Sequence, residues 1–270
     1  MRDSKSTAQN LQITNCHRDS FTEYEGDDKV VTSLELYDQL QADKKEPYVN
    51  VMSGIPGIDY ACEGFRDGEL VIISGPTKSG KTLLAQTFTA NFSKKKEYAT
   101  WFSYEVPARQ FLEQFPILPI FYLPSNNKAQ DFNWFMERCL EAFFKYNSRI
   151  IFVDHLHFLI DMARISNPSL EIGAIVRRIK RFAVENDFII FLLCHIKKTE
   201  GDDISYRDLR DSSFIAQDSD TCIMIKRTPK DGQNTAKARV EFHRRTGVME
   251  YIVNLEKQHG YLREVVKDDE

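Results

Sequence analysis

The sequence predicts an α/β fold: a mainly parallel, twisted sheet covered by helices on both faces. Three observations carry this. Short apolar runs alternate with helical patterns along the chain. Most of the runs, at 70–73, 98–103, 149–153 and 188–194, are apolar over most of their length, as strands buried on both faces must be. The first of them leads directly into Gly75-Pro76-Thr77-Lys78-Ser79-Gly80-Lys81-Thr82, and helical spacing follows over 83–92. Strand, glycine-rich loop and helix in that order is the context that makes such a motif a phosphate site.

In chain order, residues 1–28 are polar, lack hydrophobic period and read as a flexible arm. Residues 29–50 read as a linker helix and linker. Ser33 is positioned to cap a helix with Leu34, Tyr37 and Leu40 on one face. That face either packs on its own domain or docks on a neighbouring subunit. Residues 51–270 form the main domain. Ser53-Gly-Ile-Pro-Gly-Ile-Asp59 opens it with turn residues, and Phe65-Arg66-Asp67-Gly68 turns into the loop strand. Pro107 starts a helix over 108–115. An amphipathic helix spans 131–146, and a long helix over 169–186 carries Arg177, Arg178, Lys180 and Arg181. A fifth strand spans 221–225. Alternating Ala238, Val240 and Phe242 mark a sixth, and short strands follow to residue 266.

Composition is that of an ordinary globular protein, 42% hydrophobic and 28% charged. No apolar run reaches spanning length, and the first ten residues lack the apolar core of a secretory signal. Five widely spaced cysteines (Cys16, Cys62, Cys139, Cys194, Cys222) fit reduced thiols in a cytoplasmic protein, not a disulfide framework or zinc site. The net charge of −4 argues against a broadly basic nucleic-acid coat. Residues 1–50 hold 6 of the 36 Lys/Arg and 10 of the 40 Asp/Glu, so the other 220 residues are neutral. A local basic surface there stays open.

The chemistry gathers at strand ends, where ligands bind in parallel sheets. The loop's backbone N–H groups and the positive end of the next helix point at β- and γ-phosphates. Lys81 adds a charge there, and Thr82 offers a hydroxyl to Mg²⁺. Asp154, at the end of Ile-Ile-Phe-Val, is positioned to hold the metal through water. Glu105, one strand over, can position or activate water. Taken alone, it reads equally well as a solvated residue before a helix. His195 ends the fourth strand and can touch a γ-phosphate. His155 and His157, at i and i+2 on a strand, share a face and with His195 could suggest a transition-metal cluster. The nucleotide reading explains that strand end first. Arg244 and Arg245 follow the sixth strand, where an arginine can stabilise a transferring phosphoryl group from a neighbouring subunit.

In sequence these segments are Ser-Gly-Ile-Pro-Gly-Ile-Asp, the phosphate loop, Phe-Ser-Tyr-Glu-Val-Pro, Ile-Ile-Phe-Val-Asp-His-Leu-His-Phe, Leu-Leu-Cys-His-Ile-Lys-Lys and Asp208-Leu209-Arg210 through Gln217-Asp218. Together they resemble the RecA-like motor domain of hexameric replicative DNA helicases: the bacterial DnaB type, phage primase-helicases and the mitochondrial Twinkle helicase. The resemblance covers about residues 30–265. It implies that Lys81 and Thr82 bind Mg-ATP, Glu105 activates water, Asp154 holds the metal, His195 senses the γ-phosphate and Arg245 is a finger acting in trans. His at 195 is similar to the phage and mitochondrial members; the bacterial ones use Gln. The resemblance also implies that the loop over 197–212, with Lys197, Lys198, Arg207 and Arg210, meets single-stranded DNA. Five acidic residues lie among those cations. His243 stands where the bacterial type carries a second trans-acting lysine, and either it or the neighbouring Arg244 takes that cation's place.

The resulting expectation is a RecA-like P-loop ATPase that assembles into a homo-oligomer, a hexameric ring with ATP between subunits. It uses ATP and Mg²⁺ to move on single-stranded DNA in replication, with a separate primase or loader and no membrane. Two other classes stay open: a RecA/RadA- or KaiC-like repair or recombination ATPase, and an assembly factor switched by ATP without unwinding.

Overall fold

The computed structural model describes residues 26, 29–42, 49–159, 168–195, 213–227 and 234–265. The expected flexible arm, apart from Gly26, and the expected DNA loop over 197–212 lie outside the described residues. The chain divides into two units, Met1–Pro47 and Tyr48–Glu270.

In the first unit, α1 (Ser33–Ala42) is a ten-residue helix with no buried residue. Thr32, not Ser33, caps it. The Thr32 Oγ1 accepts from Glu35 N at 3.2 Å, and Glu35 Oε2 accepts from Thr32 N at 2.8 Å. That reciprocal pair is a capping box, which satisfies two orphan donors at once and outcompetes a lone serine one residue on. Leu34, Tyr37 and Leu40 of this helix are exposed.

The second unit runs β1 (Asn50–Val51), α2 (Pro56–Cys62), β2 (Phe65–Arg66), β3 (Leu70–Gly75), α3 (Lys81–Lys94), β4 (Ala99–Ser103), α4 (Ala108–Glu113), α5 (Phe132–Tyr146) and β5 (Ile150–Asp154). A 3₁₀ turn over Leu156–Leu159 follows, then α6 (Pro168–Glu185), β6 (Ile189–His195), α7 (Ser213–Asp218), β7 (Thr221–Arg227), β8 (Thr235–His243), β9 (Met249–Gln258) and β10 (Tyr261–Glu264). The main sheet has eight strands in the order β10-β9-β8-β7-β3-β6-β5-β4. The pairs from β7 through β3, β6 and β5 to β4 are parallel, and β8, β9 and β10 extend the sheet antiparallel.

The apolar runs fill both faces because strand side chains alternate. On β3, Val71 and Ile73 enter a core with α2, α3 and α4, while Leu70 and Ile72 enter a second core with α5, α6 and α7. β5 and β6 divide in the same way: Phe152 and Phe191 stack in the first core at 4.5 Å between ring centroids, and Val153 and Leu192 lie in the second. The helix expected over 131–146 is α5. Asp131 caps it by accepting from Trp134 N, and Asn147 ends it in the left-handed region.

Three local readings change. The Pro-Gly segment at 56–57 is the first turn of α2, because proline at the first helical position is preorganised and loses no needed N–H. Asp59 then folds the entry segment back, accepting from Ser53 N and Oγ at 2.6 Å and from Gly54 N at 3.0 Å. Residues 65–66 pair with β1 as a strand before the turn. The short strands expected near the C-terminus are the ten-residue β9 and the four-residue β10.

Candidate nucleotide site

The site sits at the carboxyl edge of the parallel strands. β3 ends in Gly75, where an added Cβ would lie 2.1 Å from the Ile225 backbone oxygen, so the loop must leave the sheet through a glycine. Gly80 caps α3 at φ +105, a left-handed conformation that glycine adopts freely. Between them the loop turns on a Ser79 N to Pro76 O bond of 3.2 Å. Lys81 is buried, its Nζ donating to Gly75 O at 3.1 Å and Pro76 O at 2.9 Å. Burial pulls its pKa below the usual lysine range, and the Asp154 and Glu105 carboxylates oppose the shift. A phosphate at this loop would take over from those two carbonyls as the partner of the ammonium.

Thr82 Oγ1 donates to Asp154 Oδ2 at 2.9 Å, so α3 and β5 bring the two expected metal-site residues together. Asp154 is buried, and its Oδ1 makes no hydrogen bond. The His155 Nδ1 lies 2.9 Å from that oxygen, in ion-pair range but out of line for a hydrogen bond. A buried carboxylate with an unused oxygen beside a hydroxyl fits a hydrated Mg²⁺. Ser79 Oγ, in the loop, is likewise buried without a partner.

Glu105 follows β4, half exposed at its side chain, with Oε2 3.0 Å from His155 Nε2. His195 ends β6, and its Nε2 lies 3.0 Å from the same His155 nitrogen. Burial, reinforced by His155 and Lys81, pushes the His195 pKa down to about 4, so the ring is neutral. The expectation that His155 and His157 share a strand face does not hold. β5 stops at Asp154 and the chain turns into 3₁₀ geometry, so His155 is buried against His195 while His157 is only half-buried elsewhere. Beside the loop, a cavity of about 180 Å³ is lined by the apolar Leu83, Ile225 and Leu262 together with the charged Lys78, Arg227 and Lys257.

Arg244 and Arg245 are not part of this cluster. β8 runs antiparallel to β7, and His243 pairs with Thr221 at the start of β7. The arginines therefore emerge at the amino edge of the parallel strands. Arg245 bonds Glu69 at 3.2 Å, Glu63 at 3.3 Å and the Cys62 and Gly64 carbonyls. Glu69 immediately precedes β3, so six residues, roughly 20 Å of strand, separate it from the loop. Arg244 is the more exposed of the pair and bonds Asp220 at 3.2 Å and the Gln217 carbonyl at 3.0 Å. His243 is buried, and its Nδ1 accepts from Thr246 N at 3.1 Å. Burial, with Arg245 nearby, lowers its pKa to about 4, so it supplies no cation there. Among the basic residues of α6, Arg177 pairs with Asp218, Arg178 lies over the Phe132 ring and Lys180 bonds Asp220.

This loop, carboxylate pair and sheet order define a P-loop ATPase domain. Residues 123–263 match the family model of the DnaB-like helicase C-terminal domain, over more than half of the chain, and the chain belongs to that family. Residues 51–120 match a second model, the KaiC ATPase. The replicative DNA helicase DnaB of Treponema pallidum is 24% identical over 255 residues, covering 81% of this chain and 56% of that protein. A probable plasmid replicative DNA helicase of Chlamydia psittaci is 27% identical over half of this chain and 28% of its own length. The DNA helicase/primase of Enterobacteria phage T3 is 27% identical over 42% of this chain and 22% of its own length. This chain thus spans about half or less of these relatives. Among solved structures, an ATPase domain determined on its own superposes with a TM-score of 0.73 at 18% identity, covering 86% of this chain and 97% of that one. A DnaB-like replicative helicase, studied with its interactions with primase, superposes at 0.72, again at 18% identity, over 89% and 69%. These two likenesses establish the RecA-like fold. No described helix is long and apolar enough to cross a membrane, and the four described cysteines are buried free thiols.

Proposed function

We propose that this chain is the ATP-hydrolysing motor of a ring-forming DNA helicase that moves along single-stranded DNA. One observation supports this above the rest. Lys81, Thr82, Asp154, Glu105 and His195 meet at one edge of the sheet, while Arg244 and Arg245 emerge at the opposite edge. A phosphoryl-transfer site needs a cation on the developing charge. Head-to-tail packing of subunits in a closed ring supplies it from the next copy.

In this reading Lys81 holds the β- and γ-phosphates, and the cavity walled by Leu83 and Leu262 takes the base and ribose. Thr82 and Asp154 would hold Mg²⁺, which neutralises phosphate charge when bound. Glu105 orients and deprotonates the attacking water, and His195 contacts the γ-phosphate. Arg245 acts in trans, which requires release from Glu63 and Glu69, and Arg244 is the second cation. The family resemblance assigns DNA contact to Lys197, Lys198, Arg207 and Arg210, a ring of six, and a separate primase or loader as partner.

The test is ATP turnover with and without single-stranded DNA, together with unwinding of a forked duplex. Stimulation by DNA and strand separation are expected. The KaiC match over 51–120 favours a second reading, a RecA/RadA- or KaiC-like repair or recombination ATPase. Strand exchange in place of strand separation would select it.

A further inference from the structure

Within the single chain Arg245 is already engaged. Its Nε bonds Glu69 Oε1 at 3.2 Å, Nη1 bonds Glu63 Oε2 at 3.3 Å, and Nη2 bonds the Cys62 and Gly64 carbonyls at 2.8 and 2.9 Å. These bonds occupy four of the five N–H donors of a guanidinium. Reaching a phosphate across an interface breaks this set, and the two carboxylates left behind are not alike. Glu69 is buried and keeps a partner, because its Oε2 accepts from Arg66 N at 2.9 Å. Glu63 ends α2 in the left-handed region at φ 51, with its side chain 66% exposed. Arg245 is the partner of its carboxylate among the described residues.

The carboxyl edge presents the opposite charge. Lys78 lies in the phosphate loop, exposed and at φ 63. Its ammonium has no hydrogen bond or ion pair among the described residues. With Arg227 and Lys257 it gives the neighbouring cavity three cations, and no described acidic residue lines that cavity. Such a surface attracts a carboxylate from another copy. Geometry narrows the choice of cation. Lys78 sits on the same loop whose amides meet the phosphates. A guanidinium that reaches those phosphates carries the end of α2 toward the loop, and Glu63 comes within a lysine's length of Lys78.

We infer that Glu63 of one copy pairs with Lys78 of the next, and that this exchange of partners releases Arg245 onto the neighbouring phosphate. Before docking, Glu63 holds Arg245. After docking, Lys78 takes Glu63 and the phosphate takes Arg245, so each charge keeps a counter-charge and none is stranded at the interface. Glu63 cannot serve both cations at once, which ties release of the arginine to arrival of a neighbour. No covalent bond changes. Glu63 is thus a positioning residue that acts through Arg245. The inference rests on the proposed trans role of Arg245.

The experiment measures assembly by sedimentation with a non-hydrolysable ATP analogue, and kcat for ATP in the assembled protein. The variants are Glu63→Gln, Lys78→Gln, both together, and the charge reversals Glu63→Lys and Lys78→Glu. Lys78→Gln leaves Arg245 held by Glu63, so kcat should fall about two- to fivefold, the scale of a partly exposed ion pair. Adding Glu63→Gln should remove that loss, because the competing carboxylate is then gone. Roles confined to each residue's own copy would give additive losses instead. Neither charge reversal should assemble alone. Their equimolar mixture should, since alternation puts the native or the reversed pair at every interface. No relief in the double Gln variant, or a mixture that stays unassembled although both variants bind the analogue, would overturn the exchange. If Lys78→Glu does not bind the analogue, the Gln series decides alone. Wild type that binds the analogue and does not assemble would instead overturn the ring reading itself.

Discussion

The two edges of the sheet are built in opposite ways. At the carboxyl edge, polar groups are gathered and left short of partners: Ser79 Oγ, Asp154 Oδ1 and His195 Nδ1 are buried without a hydrogen bond, and Lys81 makes do with two loop carbonyls. At the amino edge, charges are paired into a lattice. Asp220 accepts from Leu70 N at 2.8 Å, Lys180 Nζ at 2.6 Å and Arg244 at 3.2 Å, while Glu69 and Glu63 hold Arg245. Glu97 Oε2, Thr221 Oγ1 and His243 Nε2 are among the exceptions there. Unsatisfied buried groups cost free energy, and Ser79 Oγ and Asp154 Oδ1 stand beside the phosphate loop, where a bound ligand would satisfy them. The Asp220 and Arg245 networks at the other edge are paired within the chain and fix the geometry presented to a neighbour. Substitutions at the first edge should therefore remove activity and spare folding; those in the Asp220 network at the second should cost stability and spare nucleotide binding.

Lys81→Ala is the sharpest break of that contrast. Hydrolysis should fall at least about 10²- to 10³-fold, the scale of losing one preorganised charge contact. The melting temperature should hardly move, because the ammonium is desolvated and bonded only to two carbonyls. Parallel turnover and thermal-melt measurements check both. Asp220→Ala should do the opposite, costing about 1.5–3 kcal/mol in urea unfolding, as for loss of hydrogen bonds to charged groups, with ATP affinity retained. If Asp220→Ala loses nucleotide binding at full stability, the two edges are not separable in this way. Gly75→Ala lies between the two. Its Cβ would meet the Ile225 carbonyl at 2.1 Å, so about 1–3 kcal/mol of overpacking strain should appear together with weakened ATP binding.

The smallest expected effect is a pH dependence at the amino edge. His243 titrates at about 4 in the fold, below the ordinary 6.5. A depressed folded pKa means the unfolded chain binds the proton first, so this contribution is present above about pH 6.5 and is lost as pH falls toward 4. Stability of the wild type should decline over that window more steeply than that of His243→Phe in matched urea titrations.

The carboxyl edge is far more legible in the sequence than the amino edge. A parallel strand is apolar throughout and ends where its ligand binds, so Gly75, Asp154 and His195 announce themselves by position. The helix at 132–146 shows through its period and its Asp131 cap. The amino edge is assembled from residues far apart in sequence, Glu69, Lys180, Asp220 and Arg245, none in a local pattern, and only folding brings them together. His155 is half legible. Its place after Asp154 is plain, but strand alternation carried past that aspartate puts His157 on its face, where the structure does not. α2 is hidden because proline and glycine look like turns unless proline falls at a first helical position.

The shared nucleotide site is the central claim, and subunit mixing tests it most directly. Lys81→Ala lacks a working carboxyl edge, and Arg245→Ala lacks a working amino edge. Each alone should be inactive, while Arg245→Ala still binds ATP. Mixed under conditions in which exchange is demonstrated by a labelled subunit, they should recover a measurable fraction of wild-type turnover, since some interfaces then pair an intact loop with an intact arginine. No recovery despite proven exchange would contradict a site built from the two opposite edges of neighbouring copies.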